Sequence, residues 1–450
     1  MAHAVAAALD DADAVRAPCA VALSGGRDSV ALLDALAAHG RLQGHRVVAL
    51  HVHHGLSPNA DAWAAFCTAL CAGYAIPCIV RRVNVARAPR TSVEATARRA
   101  RYAALSDAAR EAGVATVLLA HHRDDQAETL LLQLLRGAGP HGLAAMPAQR
   151  VGADGMRWLR PLLDVPRAAI EACVAERGLR YVDDESNADT RHARNAIRRS
   201  VAPALAAIAP GYATALARAA ALQGDAARLA DDLATADARN SIDGASLDRD
   251  ALLALPAYRA RNLLRWFLRS RGLPPPSQAR LEDMWVQLTQ ARPDAQVRLA
   301  HAGAEIGIHR GRVSVHAQPP APFDVAWRGE PELTLPHGIL VFGAVEGAGL
   351  DRRRLAAAAV RIRRRSGGER MQLAVDRPRR AVSALLQERG IPRWERSMLP
   401  LVFCGDALAA IPGIGIDAAF RVPPGELGVT ITWHPGALPA PDDGAPATRG

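Results

Sequence analysis

An α/β protein is predicted, with a doubly wound parallel sheet in its N-terminal domain, then a helical connector and two smaller α+β domains. Three observations lead there. Short, nearly continuous apolar runs alternate with helical patterns through the N-terminal third of the 450 residues. Strands buried on both faces of a parallel sheet have this pattern. The first run breaks abruptly into Ser24-Gly25-Gly26-Arg27-Asp28-Ser29 and then turns helical. Polar clusters recur at the carboxyl ends of the runs, where such sheets place their ligands.

The elements follow in order. Residues 1–15 suit a lead-in helix, Cys19–Leu23 a first strand and Val30–His39 its helix. Arg46–Val52 is a second buried strand, ending in His53-His54-Gly55, and Asp61–Gly73 is helical. Pro77–Val83 is a third strand, Ser92–Gly113 a long amphipathic helix, Thr116–Ala120 a fourth strand and Asp125–Arg136 the helix after it. Gly137–Met156 has loop composition, Val165–Arg177 is helical and Tyr181–Arg194 is a polar loop. From Asn195 a helical pattern runs, with a break near Pro210, to about Arg239. Asp248–Gln290 holds two helices parted by Gly272–Pro276, and Val297–His316 alternates like a small β element. The expected domains are therefore 1–215, a connector and central domain over 216–316, a Pro-rich linker over 317–334, a basic domain over 335–434 and a tail over 435–450 with the composition of disorder.

The Ser24–Ser29 stretch is suited to an anion. Glycines let backbone approach a phosphate, and the N–H groups of the helix that follows point at it. Ser24 and Ser29 add hydroxyl donors, and the expected task of Asp28 is to hold a magnesium ion against the phosphate. This is not a Walker loop, because its lysine is missing. No lysine occurs anywhere in the chain; all 55 basic residues counted as Lys plus Arg are arginines. A Schiff-base lysine and a lysyl-adenylate ligase nucleophile are thereby excluded. The Ser-Gly-Gly-x-Asp-Ser form resembles the pyrophosphate loop of the N-type ATP pyrophosphatases, which cut ATP to AMP and pyrophosphate.

Formal net charge is +10. From Arg352 to Arg396 there are 14 arginines against Glu369, Asp376, Glu388 and Glu395, and 14 minus 4 equals that whole surplus. A surplus confined to one small domain favours a phosphate-backbone footprint over a merely solvated face. The six cysteines form no C-x-x-C pair, so a zinc ribbon or iron–sulfur site has little support, and Cys67 and Cys71 suit core packing. No secretory pattern and no run of membrane-spanning length is seen, so a cytoplasmic protein with no membrane partner is expected.

Four further clusters carry chemistry. His51-Val52-His53-His54-Gly55 suits a nucleotide-site wall better than a metal site. In His121-His122-Arg123-Asp124-Asp125-Gln126-Ala127-Glu128, Asp125 and Glu128 have capping-box spacing. His121, Asp125 and Glu128 would share one face if the helix reached back far enough. Three acids exceed what a cap needs, which suggests a site for an ammonium group, a metal-bound phosphate, or both. His121 would orient a phosphate or move a proton. Arg98 and Arg101 suit either α- or β-phosphate neutralisation or a solvated basic face. Asp184-Glu185-Ser186-Asn187 with Arg194 and Arg198 suits a cap, a carboxylate clamp or an RNA-phosphate contact.

Taken together these motifs resemble the tRNA(Ile)-lysidine synthetase family, across nearly the whole chain. The likeness extends to Arg136-Gly137-Ala138-Gly139, Arg361–Arg370, Gly390–Arg396 and Ile411–Gly415. It implies an N-terminal ATP-pyrophosphatase domain of the adenine nucleotide alpha hydrolase type and two C-terminal domains that grip tRNA. It implies adenylation of the wobble cytidine of a CAU-anticodon tRNA(Ile), attack by the ε-amine of L-lysine, and loss of AMP. The resulting lysidine shifts codon reading from AUG to AUA and charging identity from Met to Ile. By that resemblance Asp28, His121 and Asp125 are catalytic. ATP contacts Ser24, Gly25, Gly26, Arg27, Asp28, Ser29, His53, Arg98 and Arg101, with Mg2+ on Asp28. Lysine is held by Asp125, Glu128, Asp184 and Arg194, and tRNA by Arg198, Arg363, Arg364, Arg365, Arg370, Arg393 and Arg396. A homodimer stays open, since nothing in the sequence sets the oligomeric state. Rivals are a tRNA 2-thiolation enzyme, which needs paired cysteines, an NAD or GMP synthetase, which needs no Arg-rich domain, and an RNA-binding protein with a degenerate nucleotide fold.

Overall fold

The computed structural model describes residues 1–11, 17–55, 57–83, 93–152, 154–183, 185, 189, 191–290 and 297–436. Asp184, Ser186 and Asn187, and the tail beyond residue 436, lie outside the described residues. The chain divides into two compact units, with the change at Asp232/Leu233.

The first unit opens with α1 (Ala2–Asp11), β1 (Cys19–Ala22), α2 (Arg27–Gln43), β2 (Val47–His53), α3 (Ala60–Gly73) and β3 (Cys78–Arg82). There follow α4 (Val93–Glu111), β4 (Thr116–Leu118), α5 (Arg123–Leu135), α6 (Pro140–Leu143), β5 (Gln149–Val151), β6 (Arg157–Leu159) and α7 (Arg167–Glu176). The sheet has six strands in the order β3-β2-β1-β4-β6-β5. All neighbours are parallel except β5, which runs antiparallel to β6 at the edge. The strand order reverses between β1 and β4, so the crevice for a ligand opens at their carboxyl ends.

Side chains alternate across the sheet and build a core on each face. Val21, Leu23 and Leu118 pack with Val5, Leu9, Leu33, Leu36 and Ile170 of α1, α2 and α7. Ala20, Val117 and Leu119 pack with Leu105, Ala108 and Ala109 of α4 and with Trp158. Fully burying a leucine such as Leu118 stabilises by about 1.5–3 kcal/mol, so these two layers hold the strand ends rigid.

Two expectations change here. The stretch read as loop over Gly137–Met156 contains α6 and β5, and β6 follows it. Strands of three residues carry too little periodicity to be seen; β6 is a strand because Trp158 and Leu159, each 2 % exposed, complete the core beside β4. Helix α2 also starts three residues before the expected Val30, so Arg27 and Asp28 belong to its first turn.

Beyond α7 the chain forms a short helix Ala193–Ala196, a π-helical turn Ile197–Val201, a helix Ala202–Ile208 and the long helix Tyr212–Ser241. No single helix among the described residues is long and apolar enough to cross a membrane.

In the second unit the stretch Asp248–Gln290 forms three helices, Arg249–Ala254, Ala257–Ser270 and Gln278–Gln290, one more than the sequence reading expected there. Phe267, Leu263 and Leu281 share a core there with Leu299, Ile306 and Val313 of a five-stranded sheet. Further on, a five-stranded sheet built around Val360–Arg364 and a four-stranded sheet built around Gly338–Glu346 share another core. The segment 317–334 is not only linker. Its residues Asp324–Trp327 pair antiparallel with Val360–Arg364, and Glu332–Leu335 starts the other sheet. Proline density hid a strand whose Val325 and Trp327 pack on the core.

Candidate active site

The site begins where β1 ends. Gly25 has φ +88°, a left-handed conformation that side chains rarely adopt, and a Cβ there would lie 3.1 Å from Cys67 Sγ. The Val182 N–H donates to the Gly25 carbonyl at 2.9 Å, tying the segment after α7 onto the loop. Ser29 Oγ donates to the Gly26 carbonyl at 2.8 Å, and the Ser24 and Ser29 hydroxyls are 3.1 Å apart. Gly26 is the N-cap of α2 and supplies no side-chain hydrogen bond to that end. The N–H groups of a 17-residue helix therefore open onto a glycine cradle, as an anion site requires. Arg27, expected on the nucleotide, has its guanidinium bonded to Glu171 of α7 at 2.6 Å. Its Nε also lies 3.3 Å from Asp28 Oδ1, so the guanidinium is shared between α7 and the mouth of the cradle.

The second half of the site begins where β4 ends, and strand alternation decides it. Continuing the register of Val117 and Leu119 puts His121 on the α4 face; continuing that of Leu118 puts His122 on the α2 face. His122 is extended, with φ −125° and ψ −179°, and α5 starts only at Arg123. The common face expected for His121, Asp125 and Glu128 therefore does not form. The box lies one turn earlier: the His122 N–H donates to Asp125 Oδ2 at 3.0 Å.

His122 is the residue the sequence reading missed. Its Nε2 is 3.6 Å from Asp28 and 3.6 Å from Asp125, and its Nδ1 is 3.7 Å from Asp124. Burial works against its charge, but hydrogen bonding to Asp28 and the attraction of Asp125, Asp28 and Asp124 prevail and raise its pKa. Burial pushes Asp28 the other way, yet His122 and Arg27 hold its carboxyl below the usual value. The His122 ring thus joins the cradle to α5. Asp124 also accepts the Arg167 N–H at 2.9 Å, which fixes the start of α7.

Asp125 and Glu128 are buried together but not bare. Arg198 forks onto Glu128 at 2.6 and 2.9 Å and reaches Asp125 at 3.2 Å. Arg194 lies 3.5 Å from Glu128 and donates to Thr129 Oγ1 at 2.6 Å. Arg198 was expected on tRNA; the π-helical turn that carries it turns it into this acidic cluster instead.

On the opposite face His121 stands among Arg160, Arg101, Arg194 and Arg98. Burial and those four guanidiniums hold its pKa well below the ordinary histidine value. Arg98 and Arg101 are 5.8 Å from the Tyr102 ring centre and Arg150 is 5.9 Å from it. Arg150 and Arg160 were not foreseen; only the helix–strand pairing brings them to α4.

His53 is not free to line a nucleotide. It lies 3.2 Å from Arg82 and 3.2 Å from Asp61. His51 Nδ1 is 2.9 Å from the Leu23 carbonyl, a bond that braces β2 against β1 beside the cradle. In the second unit most of the expected tRNA contacts are tied into the fold's own frame. Arg363 is 3.2 Å from Asp324, Arg365 is 3.4 Å from Glu369, and Arg364 donates to the Pro320 carbonyl at 2.6 Å. Arg370 donates to the Arg379 carbonyl at 2.8 Å and Arg396 to the Ile391 carbonyl at 2.7 Å, while Arg393 is exposed.

Comparison with known proteins adds three family matches: a PP-loop domain over residues 2–205, a TilS substrate binding domain over 247–314 and a TilS substrate C-terminal domain over 360–433. A tRNA(Ile)-lysidine synthase of Nitrosomonas europaea is 41% identical over 425 residues, covering 93% of this chain and 92% of that one. One from Burkholderia pseudomallei is 43% identical over 442 residues, covering 89% and 90%. Among solved structures, the U34-tRNA thiolase NcsA from Methanococcus maripaludis is similar at 16% identity and a TM-score of 0.41, covering 49% of this chain and 76% of that one.

Proposed function

This chain belongs to the tRNA(Ile)-lysidine synthase family, and we propose that it uses ATP to adenylate the wobble cytidine of a CAU-anticodon tRNA(Ile), which L-lysine then attacks. It is an ATP-dependent ligase that modifies tRNA. The single observation behind the reading is the likeness to lysidine synthases over nine-tenths of the chain, with 93% covered in one case.

ATP is assigned to the Ser24–Ser29 cradle, where backbone N–H groups and two hydroxyls meet the phosphates. Among the described residues no group of three or more His, Cys, Asp or Glu side chains is arranged to hold a metal by itself. A magnesium ion shared with phosphate oxygens needs only one or two protein carboxylates, and Asp28 at the mouth of the cradle fits that part. The ion would supply charge neutralisation on those oxygens. Asp28 is kept in place by the His122 ring.

Asp125 and Glu128 are the carboxylates assigned to lysine's ammonium. Arg198 occupies them now, so binding exchanges one cation for another, and the displaced fork is then free for the α-carboxylate of lysine. His121, held neutral, has a buried Nδ1 without a hydrogen-bond partner among the described residues. Neutral, it suits orienting a phosphate by a hydrogen bond, because the four guanidiniums around it oppose its taking a proton.

The test is incubation of the full chain with ATP, labelled lysine and a CAU-anticodon transcript. Label in the RNA supports the reading; ATP cleavage without label transfer rejects it. Asp125→Asn and Glu128→Gln are each expected to raise the KM for lysine, and unchanged values in both would remove the lysine pocket from these residues.

A further inference from the structure

A group of positive charge on the α4 face is left unused by that scheme. Tyr102 is ringed by Arg98, Arg101 and Arg150 at 5.8–5.9 Å, with Arg160 beside its hydroxyl. Of these four and Arg194, only Arg194 has a carboxylate partner among the described residues. Tyr102 Oη and the Nε atoms of Arg150 and Arg160 are buried without a hydrogen-bond partner there. Unsatisfied buried donors and mutually repelling guanidiniums are both costly, and an anion relieves both. Arg98 and Arg101 are exposed while Arg160 is 5 % exposed, so the cluster runs from an exposed rim to a buried basic floor.

Two candidate anions are already accommodated elsewhere. The triphosphate has the Ser24–Ser29 cradle, on the α2 face with His122. The carboxylate of lysine has Arg198. What the reaction still brings is the RNA itself, whose phosphodiesters enter from outside and match the planar fork of arginine. We propose that the cluster formed by Arg98, Arg101, Arg150, Arg160 and Arg194 around Tyr102 binds the RNA phosphates that flank the target cytidine. It grips the strand on the α4 face while the nucleotide lies on the α2 face. The assignment moves Arg98 and Arg101 from ATP to RNA and Arg194 from lysine to RNA, and it rests on the lysidine-forming reading above.

The experiment uses the full chain and measures binding of a CAU-anticodon transcript without ATP or lysine, so it reads out even if lysine transfer fails. Arg98→Ala and Arg150→Ala are each expected to weaken binding roughly 10-fold, as loss of one charge-assisted hydrogen bond does, and to lower the salt slope by about 1. Arg98 is exposed, so its variant is a safe comparison should Arg150→Ala misfold. Transcripts with a neutral methylphosphonate at each phosphodiester beside the cytidine supply the second arm. At one position the neutral linkage should weaken the natural protein and leave Arg98→Ala no worse. Additive losses at every position overturn the proposal. So does a variant that binds RNA normally while its KM for ATP rises, or its KM for lysine, since the cluster would then hold the triphosphate or the amino acid.

Discussion

At the scale of single residues, the site depends on two that look ordinary in the sequence. Gly25 needs a left-handed backbone and has Cys67 Sγ beneath it. Gly25→Ala therefore combines strain of about 1–2 kcal/mol with a contact that must give way. It is expected to raise the KM for ATP by roughly 5- to 30-fold, from that strain alone. Adding Cys67→Ala should relieve only the contact, and full recovery in the double variant would show that strain is not the cause. His122 makes a pH prediction. Its folded pKa is raised above the ordinary 6.5, so its contribution to stability is complete below that value. It is lost as pH rises through the folded pKa. Thermal unfolding of the natural chain and of His122→Gln should differ most below pH ~6.5 and converge at alkaline pH. A difference that stays flat with pH rejects the ion cluster. His122 was hidden because two adjacent histidines are equivalent on paper; only the register of β4 shows which one faces Asp28.

At the scale of elements, the segment Gly390–Arg396 illustrates how a motif can serve packing. It was expected to contact tRNA through Arg393 and Arg396. In the structure Trp394, on the helix Arg393–Met398, stacks on His316 at 4.6 Å and meets His309 edge-on at 6.0 Å. A Cβ on Gly307 would come within 2.7 Å of the indole, so the glycine in strand Ala304–His309 is what lets the ring lie flat. Trp394→Ala should destabilise the second unit by about 2–3 kcal/mol, less than a fully buried tryptophan. Gly307→Val should produce a similar loss by expelling the ring. Denaturant unfolding and limited proteolysis check both, and a stable, protease-resistant Gly307→Val protein would reject the docking role. The contact joins residues almost 90 positions apart, 394 minus 307, so no local pattern could announce it.

At the scale of the whole molecule, the charge surplus is concentrated between Arg352 and Arg396, but its effective size is smaller than +10. Asp324, outside that run, lies 2.6 Å from Arg361 and 3.2 Å from Arg363 across neighbouring strands. Arg352 and Arg377 are exposed instead. Replacing both with alanine should weaken tRNA binding and reduce the salt slope by about 1–2, each phosphate contact contributing roughly 0.7–0.9. An unchanged slope would move the RNA footprint off this surface.

What the amino-acid order settled unaided was local and periodic. Apolar runs, helical patterns and the Ser24–Ser29 break follow from backbone preferences over a few neighbours, and they set the parallel sheet and the anion cradle. Pairing across the chain was decided only by tertiary structure. The sheet edge β5–β6, the Arg198 fork on Glu128 and Arg150 beside the Tyr102 ring unite residues that share no local signal. Burial selects those partners, because a charge or a short strand removed from water must find its complement wherever the fold brings one.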